Sequence, residues 1–110
     1  GGSTMSASVF FNRIACRDTQ EFFSDEPYLL FNGSHLAGPF SDVDEGESRQ
    51  INQRRTFTGQ ALVELFESDS PDGDDFLASI TILEEEGEQG PQIREMKGDG
   101  ARYILYYSVD

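Results

Sequence analysis

Apolar and polar residues alternate along this chain with the two-residue period of β-strands. Val9-Phe10-Phe11-Asn12-Arg13-Ile14-Ala15-Cys16 reads as a first strand, rich in aromatic and β-branched side chains. Tyr28-Leu29-Leu30-Phe31 is a short second strand, and Asn32-Gly33 after it is the preferred pair of a tight hairpin turn. Ser34-His35-Leu36-Ala37 is the return strand, ended by Gly38-Pro39. Residues 50–57 form a polar strand with a break at Thr58-Gly59, and residues 61–67 form a half-buried one. Residues 76–83 place Phe76, Ala78, Ile80 and Ile82 on one face. Residues 102–109 alternate strictly, with Tyr103, Leu105, Tyr107 and Val109 on one side and Arg102, Ile104, Tyr106 and Ser108 on the other. No stretch keeps a helical period over three turns. The pattern predicts an all-β fold, an antiparallel β-sandwich of about eight strands.

Residues 1–4 read as a cloning remnant before a native start at Met5, and residues 5–110 as a single domain. Nine Phe and four Tyr are enough to fill the core of a small sandwich. The one cysteine, Cys16, rules out a disulfide within the chain and reads as a small buried hydrophobe. No apolar run approaches the length of a membrane span, and no secretory signal follows Met5. The chain is expected in the cytoplasm, or exported by a route that needs no N-terminal signal.

Charge narrows the function. The formal net charge is −13, from 21 acidic and 8 basic residues, so a phosphate backbone is repelled and nucleic-acid binding is excluded. An anionic membrane is approached only through a bridging cation. A single histidine, His35, and a buried thiol leave no nucleophile–base pair, so the chain is read as non-enzymatic. Arg54-Arg55 is read as an ion-pairing surface. Glu84-Glu85-Glu86 and Glu88 are read as a solvated loop.

The acidic residues are not spread evenly. Five carboxylates fall in the nine residues from Glu67 to Asp75. An EF-hand does not account for them: with Gly73 at the loop's sixth position, Ser79 stands where a bidentate acid is required. A loop between strands does. Glu67 and Asp69 are two apart at a strand end and share a face, and Asp75 returns on the opposite stem. Asp72 and Asp74, at the tip, are secondary. Oxygen-only ligands in an irregular loop suit calcium better than magnesium or zinc. A second acidic turn, residues 18–28, holds Asp18, Asp25 and Glu26, and a further acidic loop spans residues 42–47.

Together the two turns resemble the C2 domain, the calcium-dependent phospholipid-binding β-sandwich. Its first loop ends in Ser-Asp-Pro-Tyr, where this chain has Ser24-Asp25-Glu26-Pro27-Tyr28. Its later loop reads Trp-Asp-x-Asp and then Asp-Phe-(Ile/Leu)-Gly, where this chain has Phe66-Glu67-Ser68-Asp69 and Asp75-Phe76-Leu77-Ala78. The resemblance implies calcium-ligand roles for Asp18, Asp25 or Glu26, Glu67, Asp69 and Asp75. It implies a binding module whose Ca2+ organises one end of a sandwich and bridges to an anionic membrane or a protein partner. The departures are an inserted Glu26, Glu67 for Asp, Ala78 for Gly, a shortened chain and no lysine-rich strand. Phe22-Phe23, at the tip of the first loop, are the candidate contacts to a membrane or partner, with one of them expected to pack back onto the sandwich. The alternatives are a calcium-stabilised interaction domain without lipid binding and a calcium-independent acidic interaction domain.

Overall fold

The computed structural model describes residues 6–69 and 73–110. Asp72 lies outside the described residues. Eight strands are present among them: β1 Ser6–Asp18, β2 Pro27–Phe31, β3 Ser34–Ala37, β4 Ser48–Thr58, β5 Gln60–Glu67, β6 Asp75–Leu83, β7 Pro91–Gly98 and β8 Ala101–Val109. They form two four-stranded antiparallel sheets, ordered β4-β1-β8-β7 and β3-β2-β5-β6. The predicted sandwich is the observed one.

The inward faces are those that the alternation marks. Val9, Phe11, Ile14 and Cys16 of β1 meet Leu29, Phe31, Val63, Leu65, Ile80 and Ile82 of the other sheet, and Tyr103, Leu105, Tyr107 and Val109 are buried as predicted. Each fully buried large apolar side chain contributes roughly 1.5–3 kcal/mol. An aromatic seam ties the layers: Phe31 packs edge-on against Phe11 at 5.9 Å and Phe57 at 6.4 Å.

Two readings change. Phe76 is half exposed, because Leu77 is an extra residue bulged from the β5–β6 ladder, where Phe66 faces Phe76 but Leu65 faces Ala78. The bulge turns Leu77 into the core and Phe76 out. Glu86 is buried rather than solvated. It lies in a 3₁₀ turn, Glu84–Glu88, and its carboxylate accepts bonds from the Leu83 N–H at 2.7 Å and the Tyr107 hydroxyl at 2.5 Å. The pattern also gave no sign of β7. Only Met96 of that edge strand is buried, so its sequence has no apolar alternation to read.

The ladders put four connections at one end of the sandwich. Asp18 pairs with Arg102, Ala15 with Ser48, Pro27 with Glu67, and Glu67 with Asp75. The loops after β1, β3, β5 and β7 therefore gather together, which brings the acidic segments to one place.

Where the edge strands β6 and β7 meet, Gly98 lies against the bulge. A Cβ there would sit 1.8 Å from the Leu77 carbonyl oxygen. Gly98→Ala is therefore expected to cost about 3 kcal/mol in urea unfolding. Gly87→Ala, whose nearest neighbour would be 3.5 Å away, should change stability by no more than about 0.5 kcal/mol.

Candidate metal centre

The first loop is shaped by Asp25, which is fully buried. Its carboxylate accepts the backbone N–H of Gln20 and of Glu21, both at 2.8 Å, and the Tyr103 hydroxyl at 2.6 Å. Its backbone exchanges two bonds with Val43 in the loop after β3. A buried carboxylate is tolerated only with such partners, and these are strong, charge-assisted bonds. Tyr103, buried and bonded to Asp25, has its hydroxyl proton held well above the usual range. Burial pushes the neighbouring Cys16 thiol up to about 11, which makes it inert, as its sequence setting predicts.

Folding the loop back over Asp25 aims Glu21 across the end of the sandwich. There the carboxylate oxygens of Glu21, Asp69 and Asp75 lie within 4.8 Å of one another, all half-buried. Partial burial, then the charges of Asp69, Asp25 and Asp75, raise the Glu21 carboxyl above its ordinary range. The Gln20 side-chain amide donates to Asp75 at 3.2 Å and to Asp99, in the turn after β7, at 2.9 Å. Two donations from one neutral amide offset little of the repulsion among these carboxylates.

Glu67 stands behind the cluster with 2 % of its surface exposed, and it accepts the Glu26 N–H at 2.5 Å. Burial pushes Glu67 up to about 7; the charges of Asp25, Glu21 and Glu26 add to this, while the bond from Glu26 opposes it. Ionising it in the folded protein costs on the order of 3 kcal/mol relative to water. Glu26 itself is exposed, and with Glu21, Glu67 and Asp69 it lines an open pocket of about 330 Å3.

Phe22 and Phe23 form the rim of that pocket. They are 90 % and 79 % exposed and touch each other edge-to-face at 4.8 Å. The expected packing of one ring onto the sandwich does not occur; both stand out from the loop.

The remaining acids fall outside the cluster. Asp18 is exposed at the end of β1, opposite Arg102 in the ladder. Asp74 accepts the Tyr28 hydroxyl at 2.6 Å, a secondary role consistent with its place near the loop tip. Glu47 is held below the usual carboxylate range by the Asp44 N–H, helped by Arg49. His35 points to the Gly38 carbonyl at 2.7 Å. Glu21 and Asp99 are the residues that sequence reasoning did not single out. Glu21 acquires its position only through the fold-back onto Asp25, and Asp99 through a strand that the pattern does not reveal.

Glu67 sets a pH dependence. Unfolded, its carboxyl ionises near 4.5; folded, near 7. The folded state therefore binds the extra proton between these values, and this stabilising contribution is lost as pH rises through about 7. With chelator present, Glu67→Gln is expected to be more stable than the parent at pH 8 by up to about 3 kcal/mol and to show little difference at pH 4.5. Urea unfolding at both pH values checks this. An equal difference at the two would contradict the assignment.

No protein-family model matches the sequence, and no curated protein matches it. Solved structures do match in fold. One described as a C2 domain is 11 % identical, with a TM-score of 0.58, and the match covers 96 % of this chain and 98 % of that one. A single C2 domain of plant Extended Synaptotagmin 1 is 8 % identical with a TM-score of 0.63, covering 99 % and 95 %. The paired C2 domains of Extended-Synaptotagmin 2, calcium bound, are 18 % identical with a TM-score of 0.63; this chain is covered over 98 % but spans only 46 % of that two-domain chain. The strand order and these matches agree: the chain has a C2-like β-sandwich fold.

Proposed function

We propose that this domain is a non-enzymatic calcium-binding module. The observation that carries the reading is the convergence of Glu21, Asp69 and Asp75 from two loops within 4.8 Å. All the donors are hard oxygens in an irregular arrangement, which suits calcium. Glu67 and Glu26, on the adjoining pocket, complete the ligand set, while Asp18, exposed at the end of β1, is outside that pocket's lining. In this reading Asp25 holds the loop, its two oxygens accepting from three donors. Of the Asp25-Glu26 pair, we assign the ligand role to Glu26, which lines the pocket. The calcium-bound state of Extended-Synaptotagmin 2 supports the same use of a similar fold.

The ion cancels local charge and bridges to anionic phosphate on a membrane. Exposure of both Phe22 and Phe23 beside the carboxylates favours a membrane over an ion that only holds the loops, because a contiguous exposed apolar pair at a charged rim marks a contact surface. With the ion absent, the net charge of −13 opposes any approach to such a surface.

Calcium at ~100 times its dissociation constant should stabilise the fold by ~2.7 kcal/mol over the chelated protein. Asp69→Asn with Asp75→Asn should abolish that shift and raise the apo midpoint. An unchanged midpoint across millimolar calcium would sink the ion site. Co-sedimentation with phosphatidylserine vesicles should require calcium and fall about tenfold in Phe22→Ser/Phe23→Ser. Stabilisation by calcium without sedimentation would leave the structural-ion reading in its place.

A further inference from the structure

A second surface lies on the outer face of the β4-β1-β8-β7 sheet, away from the acidic loops. Two rows of side chains run across it. Ile93, Tyr106 and Arg13 are neighbours across β7, β8 and β1, and Pro91, Ser108, Phe10 and Arg54 form the next row. Ser108 is small among larger neighbours, so the face dips there into an open groove of about 340 Å3. Ile93 is 66 % exposed on its wall. The Arg13 guanidinium lies 3.9 Å over the Tyr106 ring. Arg54 lies 5.5 Å over Phe10 and pairs with Asp110.

Arg13 differs from Arg49, Arg54, Arg94 and Arg102. Each of those has a carboxylate within 4.0 Å, but among the described residues Arg13, like Arg17 and Arg55, has none; of these three, Arg13 is the one stacked over an aromatic ring. Even with a net charge of −13, the chain brings no acid to it. Stacking on Tyr106 occupies the guanidinium face and leaves its N–H edge free. That edge is preorganised to take a carboxylate in a forked pair of bonds. The groove beside it accepts an apolar side chain.

We propose that this face docks an acidic peptide segment of a partner protein, in which a carboxylate pairs with Arg13 and an adjacent aromatic or aliphatic side chain fills the groove over Ser108. Charge complementarity selects the acidic residue, and Phe10, Ile93 and Tyr106 select the apolar one. A flat bilayer cannot enter the groove, whereas a single projecting side chain can. The docking needs no calcium, so it stands or falls separately from the ion site.

The test is a backbone amide NMR titration of the full chain in chelator with acetyl-Asp-Leu-Phe-Asp-amide. Localised shifts at Phe10, Arg13, Ile93, Tyr106 and Ser108 are expected, with a dissociation constant of about 1 mM or tighter. Arg13→Gln should weaken binding about tenfold, and Ile93→Ser similarly, with the thermal midpoint and the response to calcium unchanged. A peptide with both acids replaced by Lys should not bind. Equal binding of the Lys peptide, or no localised shift at peptide concentrations of about 5 mM, overturns the proposal. So does engagement of this face only by phosphatidylserine vesicles in chelator, or the same shifts on concentrating the protein alone, which would make the occupant a second copy.

Discussion

The buried carboxylate of Asp25 is the interaction on which the acidic end depends. It binds the backbone of its own loop at Gln20 and Glu21, reaches Tyr103 in β8, and is fixed by a backbone bridge to Val43. Those bonds join three chain segments at one point. A loop that otherwise has only polar side chains and two outward-facing rings is thereby given a single shape. The cost of burying the group is met by donors that cannot be supplied elsewhere, so the loop's conformation and the carboxylate's burial are one feature.

Around that anchor the protein accumulates repulsion. Glu21, Asp69 and Asp75 face one another, and Glu67 is buried behind them with its proton held to about pH 7. Nothing in the core requires this arrangement. The sandwich is held by its apolar layers and by the aromatic seam through Phe31, and the charges sit at the strand ends and in the loops beyond them. Repulsion of this kind, gathered on loops at one end of a rigid scaffold, is the physical basis of the proposed ligand site. The divalent cation we propose would turn the same four carboxylates from a liability into a coordination shell.

Much of the fold was legible because strands that bury one face must alternate, and β1, β5 and β8 do so. β7 was not, since an edge strand with one buried residue leaves no period in the sequence. Phe76 misled because a bulge reverses side-chain facing with no signature of its own here. At the site, Glu67, Asp69 and Asp75 were legible from their two stems, whose register follows from the hairpin between β5 and β6. Glu21 was not, since its aim depends on hydrogen bonds between Asp25 and backbone groups four and five residues upstream. Asp25 was recognised as important by its motif, but whether it faces the ion or the interior is a matter of burial, which no motif states.

We propose that these loops hold calcium through ionised carboxylates, including that of Glu67. Equilibrium dialysis against radioactive calcium tests it most directly, by counting ions per chain at pH 7.5 and again at pH 5.5. At least one ion is expected to be retained at about millimolar free calcium at the higher pH, and retention should weaken at the lower pH, as protons compete for Glu67. No retained calcium at pH 7.5, or retention that does not change with pH, would contradict it.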